Sequence, residues 1–129
     1  MTTPCTRKPT ASELEILHVL WERGPSTVRE VHQTLNEKRP IGYTSVLKLM
    51  QIMTAKGSVR RDEQQRAHVY EAVQPAEKTK RQLALDVLQR VFDGSASDLM
   101  MHALAGRKAS QEEIDEMRRL LNEHERKLR

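Results

Sequence analysis

Six amphipathic helical periods and one pair of short extended runs predict a mostly α chain with a small β-hairpin wing. Their order decides the architecture: three short helices precede the hairpin, and after Pro75 only helical periods follow. The expected fold is an N-terminal winged helix-turn-helix domain over residues 10–74 and a C-terminal helical dimerisation domain over 75–129, preceded by a flexible polar arm over 1–9.

The first helix opens at a Thr10/Glu13 capping box and runs through Arg23, where Gly24-Pro25 ends it. Leu14, Leu17, His18 and Trp21 share one face, so His18 is expected to be a partly buried packing residue. No second histidine or cysteine stands at i+4, the position of Glu22. Ser26 or Thr27 caps the second helix, with Glu30 as the reciprocal partner of Thr27. Val28, Val31 and Leu35 form its inner face, and it ends near Asn36.

The third helix lies within Ile41–Gly57 and carries the chemistry. Val46, Leu49, Met50 and Met53 fall at i, i+3, i+4 and i+7, an inward stripe. Thr44, Lys48, Gln51 and Ala55 gather on the opposite side, flanked by Ser45 and Ile52, with no carboxylate. Thr44 or Ser45 is the expected N-cap and Gly57 the left-handed C-terminal residue. From Lys38 to Arg61 there are six cations (Lys38, Arg39, Lys48, Lys56, Arg60, Arg61) and no acid. Such a face suits a DNA major groove, where short polar side chains reach base edges and Lys reaches phosphate or guanine.

Beyond Gly57, residues 58–61 and 67–73 flank the polar turn 62–66 and read as a hairpin with Arg66 at its tip. Only one of Val69 and Tyr70 packs inward, because strand neighbours alternate faces. The expected DNA contacts are therefore Thr44, Ser45, Lys48 and Gln51 at base edges or flanking phosphates, and Arg60, Arg61 and Arg66 on the backbone.

In the second part, Leu83, Val87, Leu88 and Val91 form one stripe before Asp93-Gly94. Ser95 or Ser97 opens a short helix with Leu99, Met100, Ala103 and Leu104, which Gly106 closes. A Ser110/Glu113 capping box precedes Ile114, Met117, Leu120, Leu121 and Leu128. These stripes do not cover one another fully, so they are expected to pair with a second subunit, the dimer contacts being Leu83, Val87, Leu88, Val91, Leu99, Leu104, Ile114, Met117 and Leu121.

Composition agrees. The 129 residues are 37% hydrophobic and 31% charged with net charge +4, which favours an acidic partner. Residues 1–74 hold 11 Lys+Arg against 8 Asp+Glu, and 75–129 hold 11 against 10, so the excess lies mostly in the first part. Cys5 alone makes neither an internal disulfide nor a CxxC site and fits a reducing cytoplasm. No apolar run is long enough for a signal peptide or membrane insertion. An enzyme is not expected: His18, His32, His68, His102 and His124 are scattered and no Gly-rich phosphate loop occurs. Neither a cofactor nor a metal site is expected.

The ordered pieces Glu15-Ile16-Leu17 to Trp21, Gly24 through Val31, Tyr43-Thr44-Ser45-Val46, Lys56-Gly57, Arg66 to Tyr70 and Phe92-Asp93-Gly94-Ser95 resemble the BlaI/MecI penicillinase-repressor family over nearly the whole chain. The resemblance implies a cytoplasmic, homodimeric winged-helix repressor on a dyad operator of double-stranded DNA, tied to β-lactam resistance or related stress genes. It also implies a membrane sensor-protease system that relieves repression by cutting the repressor. The family's cleaved Asn-Phe bond aligns with His102-Ala103. Two departures bear on the operator: Leu47-Lys48 follows Ser45-Val46 where the family often has a basic residue and Thr, and Ile52 stands where Arg is frequent. The C-terminal cysteines of the copper-responsive branch are absent. The competing expectation is a winged-helix protein-protein interaction module that uses the same surface, because fold alone does not dictate the ligand.

Overall fold

The computed structural model describes residues 8–129. Arg7, Cys5 and most of the expected arm lie outside the described residues. The chain divides into two compact units, one ending at Leu83 and the next beginning at Ala84.

The first unit holds α1 (Ala11–Arg23), β1 (Ser26–Thr27), α2 (Val28–Lys38), α3 (Tyr43–Lys56), β2 (Val59–Asp62) and β3 (Val69–Ala72). Both expected capping boxes form. Thr10 and Glu13 exchange hydrogen bonds at the start of α1, and Thr27 and Glu30 do so at the start of α2. Gly24 closes α1 at φ 86°, ψ −166°, a backbone region that only glycine enters without strain. Gly57 ends α3 at φ 87°, ψ 10°, with its own N–H and that of Ser58 both reaching the Met53 carbonyl. The two bonds satisfy an orphan end of the helix.

The N-cap of α3 differs from expectation. The cap is Gly42, without a side-chain hydrogen bond, and Thr44 and Ser45 lie inside the first turn. Two groups on α2 set the earlier start by holding the preceding turn: Asn36 Oδ1 accepts from the Ile41 N–H at 3.1 Å, and His32 Nε2 lies 2.8 Å from the Ile41 carbonyl, which accepts its proton. With Ile41 fixed at both ends of its peptide, the helix begins at Tyr43. Both hydroxyls are thereby freed from capping and left exposed.

The wing is a three-stranded antiparallel sheet in the order β1-β3-β2, where a two-stranded hairpin was expected. Ser26 and Thr27 pair with Tyr70 and Val69, so the residues that lead into α2 also complete the sheet. Tyr70 is the inward residue and Val69 is only partly covered.

The core joins Ile16, Leu17, Val19 and Leu20 of α1, Val28, Val31 and Leu35 of α2, Val46, Met50 and Met53 of α3, Val59 of β2 and Tyr70 of β3. Side chains of this kind contribute about 1.5–3 kcal/mol each when buried. The inner face of α1 is rotated from the expected one. His18 is exposed and stands perpendicular to the Trp21 ring, at 5.4 Å between centroids, while Glu13 takes a buried place. The apolar Ile16, Val19 and Leu20 turn inward beside Leu17, and the Trp21 indole, whose N–H donates to the Gln74 carbonyl at 3.0 Å, stays partly exposed. Helix α2 also runs two residues past Asn36, to Lys38.

Helix α4 (Ala76–Phe92) crosses the division between the units. The second unit continues with α5 (Ala96–Ala105) and α6 (Gln111–Lys127). Asp93 and Gly94, at φ 49° and 84°, turn the chain after α4, and Ser95 caps α5 by accepting from the Asp98 N–H. The capping box expected at Ser110 is half formed. Ser110 accepts from the Glu113 N–H, but the Glu113 carboxylate is drawn to Arg107 at 2.6 Å. No residue of α5 or α6 is buried.

Candidate nucleic-acid interface

Burial of Val46, Met50 and Met53 rotates α3 so that Thr44, Ser45, Lys48, Gln51, Ile52 and Ala55 face outward, all exposed. The expected base-reading residues therefore share one surface, and no carboxylate lies among them. Among the described residues Lys48 has no ion-pair partner, so its charge is uncompensated.

Four of the other five cations of the acid-free stretch, Arg39, Lys56, Arg60 and Arg61, behave differently, because folding brings carboxylates to them from elsewhere in the chain. Lys56 Nζ lies 3.0 and 2.9 Å from the two oxygens of the buried Glu13 carboxylate, which also accepts from the Thr10 N–H. Arg39 is bound by Glu15 through two hydrogen bonds of 3.3 and 2.6 Å, which hold the Glu15 carboxyl below its usual range and the Arg39 guanidinium above its own. On the wing, Arg60 Nε donates to Glu71 at 2.9 Å across the strand pair, and Arg61 Nε donates to Glu63 at 2.7 Å. Hydrogen bonds to the Tyr70 hydroxyl and to Glu63 together raise Arg61 above the ordinary guanidinium range. Arg60 and Arg61 remain on the surface, but each already holds a carboxylate. Exposed pairs of this type are worth about 0–1 kcal/mol, so a phosphate competes with them at small cost.

Arg66, at the wing tip, is exposed and has no ion pair among the described residues. It lines a groove of about 370 Å³ between the start of α2, the start of α3 and the wing. Arg29, in the first turn of α2, lines the same groove and likewise has no ion pair. Attention to the acid-free stretch from Lys38 to Arg61 passes over Arg29. Its signal was nonetheless present, since the Thr27/Glu30 box sets the start of α2, and the inward Val28, Val31 and Leu35 leave Arg29 outward.

In the second unit, Val87, Val91, Leu104 and Leu121 are exposed, at 41, 63, 43 and 57%, and Leu88, Leu99, Ile114 and Met117 are half-buried. Leu83, half-buried, ends the first unit. His102 and Ala103 lie exposed on α5. His102 Nδ1 donates to the Asp98 carbonyl at 2.9 Å, and its ring tilts against Phe92.

The penicillinase repressor family model matches residues 9–123, most of the chain. The chain belongs to the penicillinase repressor family. A transcriptional regulator, BlaI, of Mycobacterium tuberculosis (strain CDC 1551 / Oshkosh) is 32% identical over 115 residues, covering 88% of this chain and 82% of the relative, and the strain H37Rv protein gives the same values. The methicillin resistance regulatory protein MecI of Mammaliicoccus sciuri is 19% identical over 117 residues, covering 91% and 95%. This penicillinase repressor family member is a transcriptional regulator and not an enzyme. No helix among the described residues is long and apolar enough to cross a membrane.

Proposed function

We propose that the protein represses transcription as a homodimer bound to a dyad operator in double-stranded DNA, with the outer face of α3 in the major groove. The observation that carries this reading is the α3 surface itself: small hydroxyls, Gln51 and the unpaired Lys48, without a carboxylate, on a helix whose other side is locked into the core. Thr44, Ser45, Lys48 and Gln51 meet base edges or adjacent phosphates, and Gln51 has the donor and acceptor pair that matches adenine. Arg60, Arg61 and Arg66 hold the backbone.

Dimerisation is supported by the uncovered apolar side chains of α4 to α6. A twofold dimer reads two inverted half-sites about one helical turn, roughly 10 base pairs, apart or a multiple of that. Its targets include genes of β-lactam resistance or a related stress response, as the name of the M. sciuri relative suggests. Relief of repression follows when a membrane sensor-protease system cuts the chain at His102-Ala103. That bond lies within α5, so the helix opens before a protease binds it, which a ten-residue helix does readily.

Recovery and sequencing of the genomic DNA that the protein binds tests the proposal. Enrichment of a short dyad beside a few operons is the expected result. No enrichment from folded protein overturns it in favour of a module that binds an acidic partner protein.

A further inference from the structure

Five cations of the first unit, Arg23, Arg39, Lys56, Arg60 and Arg61, are paired with carboxylates. Arg29 and Arg66 are not, and they line one groove together with Thr27, Tyr43, Leu47 and His68. No acidic side chain lines it. Two guanidinium groups that line one concavity and have no counter-ion among the described residues make a receptor for an oxyanion, which the planar donors of Arg match in geometry as well as charge. The volume of about 370 Å³ equals roughly a dozen waters, more than a lone phosphate group needs. Tyr43 and Leu47 add an apolar wall suited to a sugar.

The direction of the groove selects its occupant. Its α3 wall, Tyr43 and Leu47, borders the exposed Thr44 and Lys48. When that surface enters a major groove, the flank of the helix faces the strand that edges the groove.

We infer that this groove seats one sugar-phosphate segment of the DNA backbone in each half-site, with Arg29 and Arg66 closing on the same phosphate. The inference rests on the operator-binding reading and adds Arg29, the shared phosphate and the clamp between α2 and the wing. Each arginine serves affinity and register and carries no base preference.

The test uses the full-length protein, its enriched operator and a scrambled duplex, with affinity measured by fluorescence anisotropy across a salt series. Arg29→Ala and Arg66→Ala each weaken binding by similar factors on both duplexes and lower the log-log salt slope by roughly 2 per dimer. Because the two residues share a phosphate, the double variant loses little more slope than either alone. Arg29→Lys restores most of the slope. A single neutral methylphosphonate, walked along each half-site, has one position that weakens the wild type about tenfold and leaves Arg29→Ala unaffected.

An unchanged slope in folded Arg29→Ala, additive losses in the double variant, or a change confined to one base pair overturns the inference while operator binding stands. Failure of the wild type to prefer the operator overturns the repressor reading as well. Inorganic phosphate that binds DNA-free protein at micromolar concentration and displaces no duplex reassigns the groove to a free anion and overturns the DNA occupant.

Discussion

Lys48 and Lys56 lie eight positions apart on one helix and have opposite fates. Lys48 is exposed with no carboxylate partner among the described residues, whereas Lys56 closes on the buried Glu13 carboxylate. Lys48→Ala is expected to leave the fold intact and to reduce the salt slope of operator binding by roughly 2 per dimer, read from affinities over a salt series. Lys56→Ala is expected to leave that slope nearly unchanged and to destabilise the protein by about 1–3 kcal/mol, seen in denaturant unfolding, because it strands a buried carboxylate. The Arg39 guanidinium holds the Glu15 carboxyl below its ordinary 4.5, and the Thr27 backbone N–H does the same for Glu30. A carboxyl with a depressed folded value stabilises the fold above its unfolded value and stops doing so as pH falls through the folded one. The thermal midpoint should therefore fall as pH drops below about 4.5, and Glu30→Gln should flatten part of that dependence.

Thr27 shows how much one position does for an element. It caps α2, completes the capping box with Glu30, and pairs with Val69 as the last residue of β1. Thr27→Ala removes the side-chain acceptor for the Glu30 N–H and is expected to cost about 1 kcal/mol, lowering the thermal midpoint by several degrees. The start of α3 is held by different means. Its cap, Gly42, offers no side chain, and the α2 side chains His32 and Asn36 define the turn through Ile41. The proposed recognition surface is positioned by its neighbour helix, which leaves Thr44 and Ser45 exposed and outside the cap.

Among the described residues, burial is confined to the first unit, where Thr79 of α4 is the last buried residue, while large apolar side chains of the second unit stay open: Val91 at 63%, Leu121 at 57% and Leu128 at 75%. In the proposed homodimer a second subunit covers exposed apolar area of this kind. Leu121→Asp is expected to give a folded monomer in sedimentation equilibrium at micromolar concentration and to lower operator affinity by about 10² to 10⁴, the avidity of two linked half-sites. Unchanged dimerisation in this variant would place the subunit contact elsewhere.

Periodicity and capping chemistry are local properties, and the sequence alone determined what depends on them: six helices and their order, the Thr10/Glu13 and Thr27/Glu30 boxes, Gly57 as a left-handed end, and the outward Thr44, Lys48 and Gln51. A helix start supported only by tertiary hydrogen bonds was illegible, and so Gly42 replaced Thr44 or Ser45 as the cap. The same limit hid the third strand, since two residues, Ser26 and Thr27, are too few to show an alternating pattern and become a strand only when Val69 and Tyr70 arrive beside them. Charge is the clearest case. An acid-free run of sequence contained Arg39, Lys56, Arg60 and Arg61, yet Glu15, Glu13, Glu71 and Glu63 neutralise them. Coulomb attraction depends on distance in space and not along the chain, so only the tertiary structure could decide that Lys48, Arg29 and Arg66 have no ion pair among the described residues.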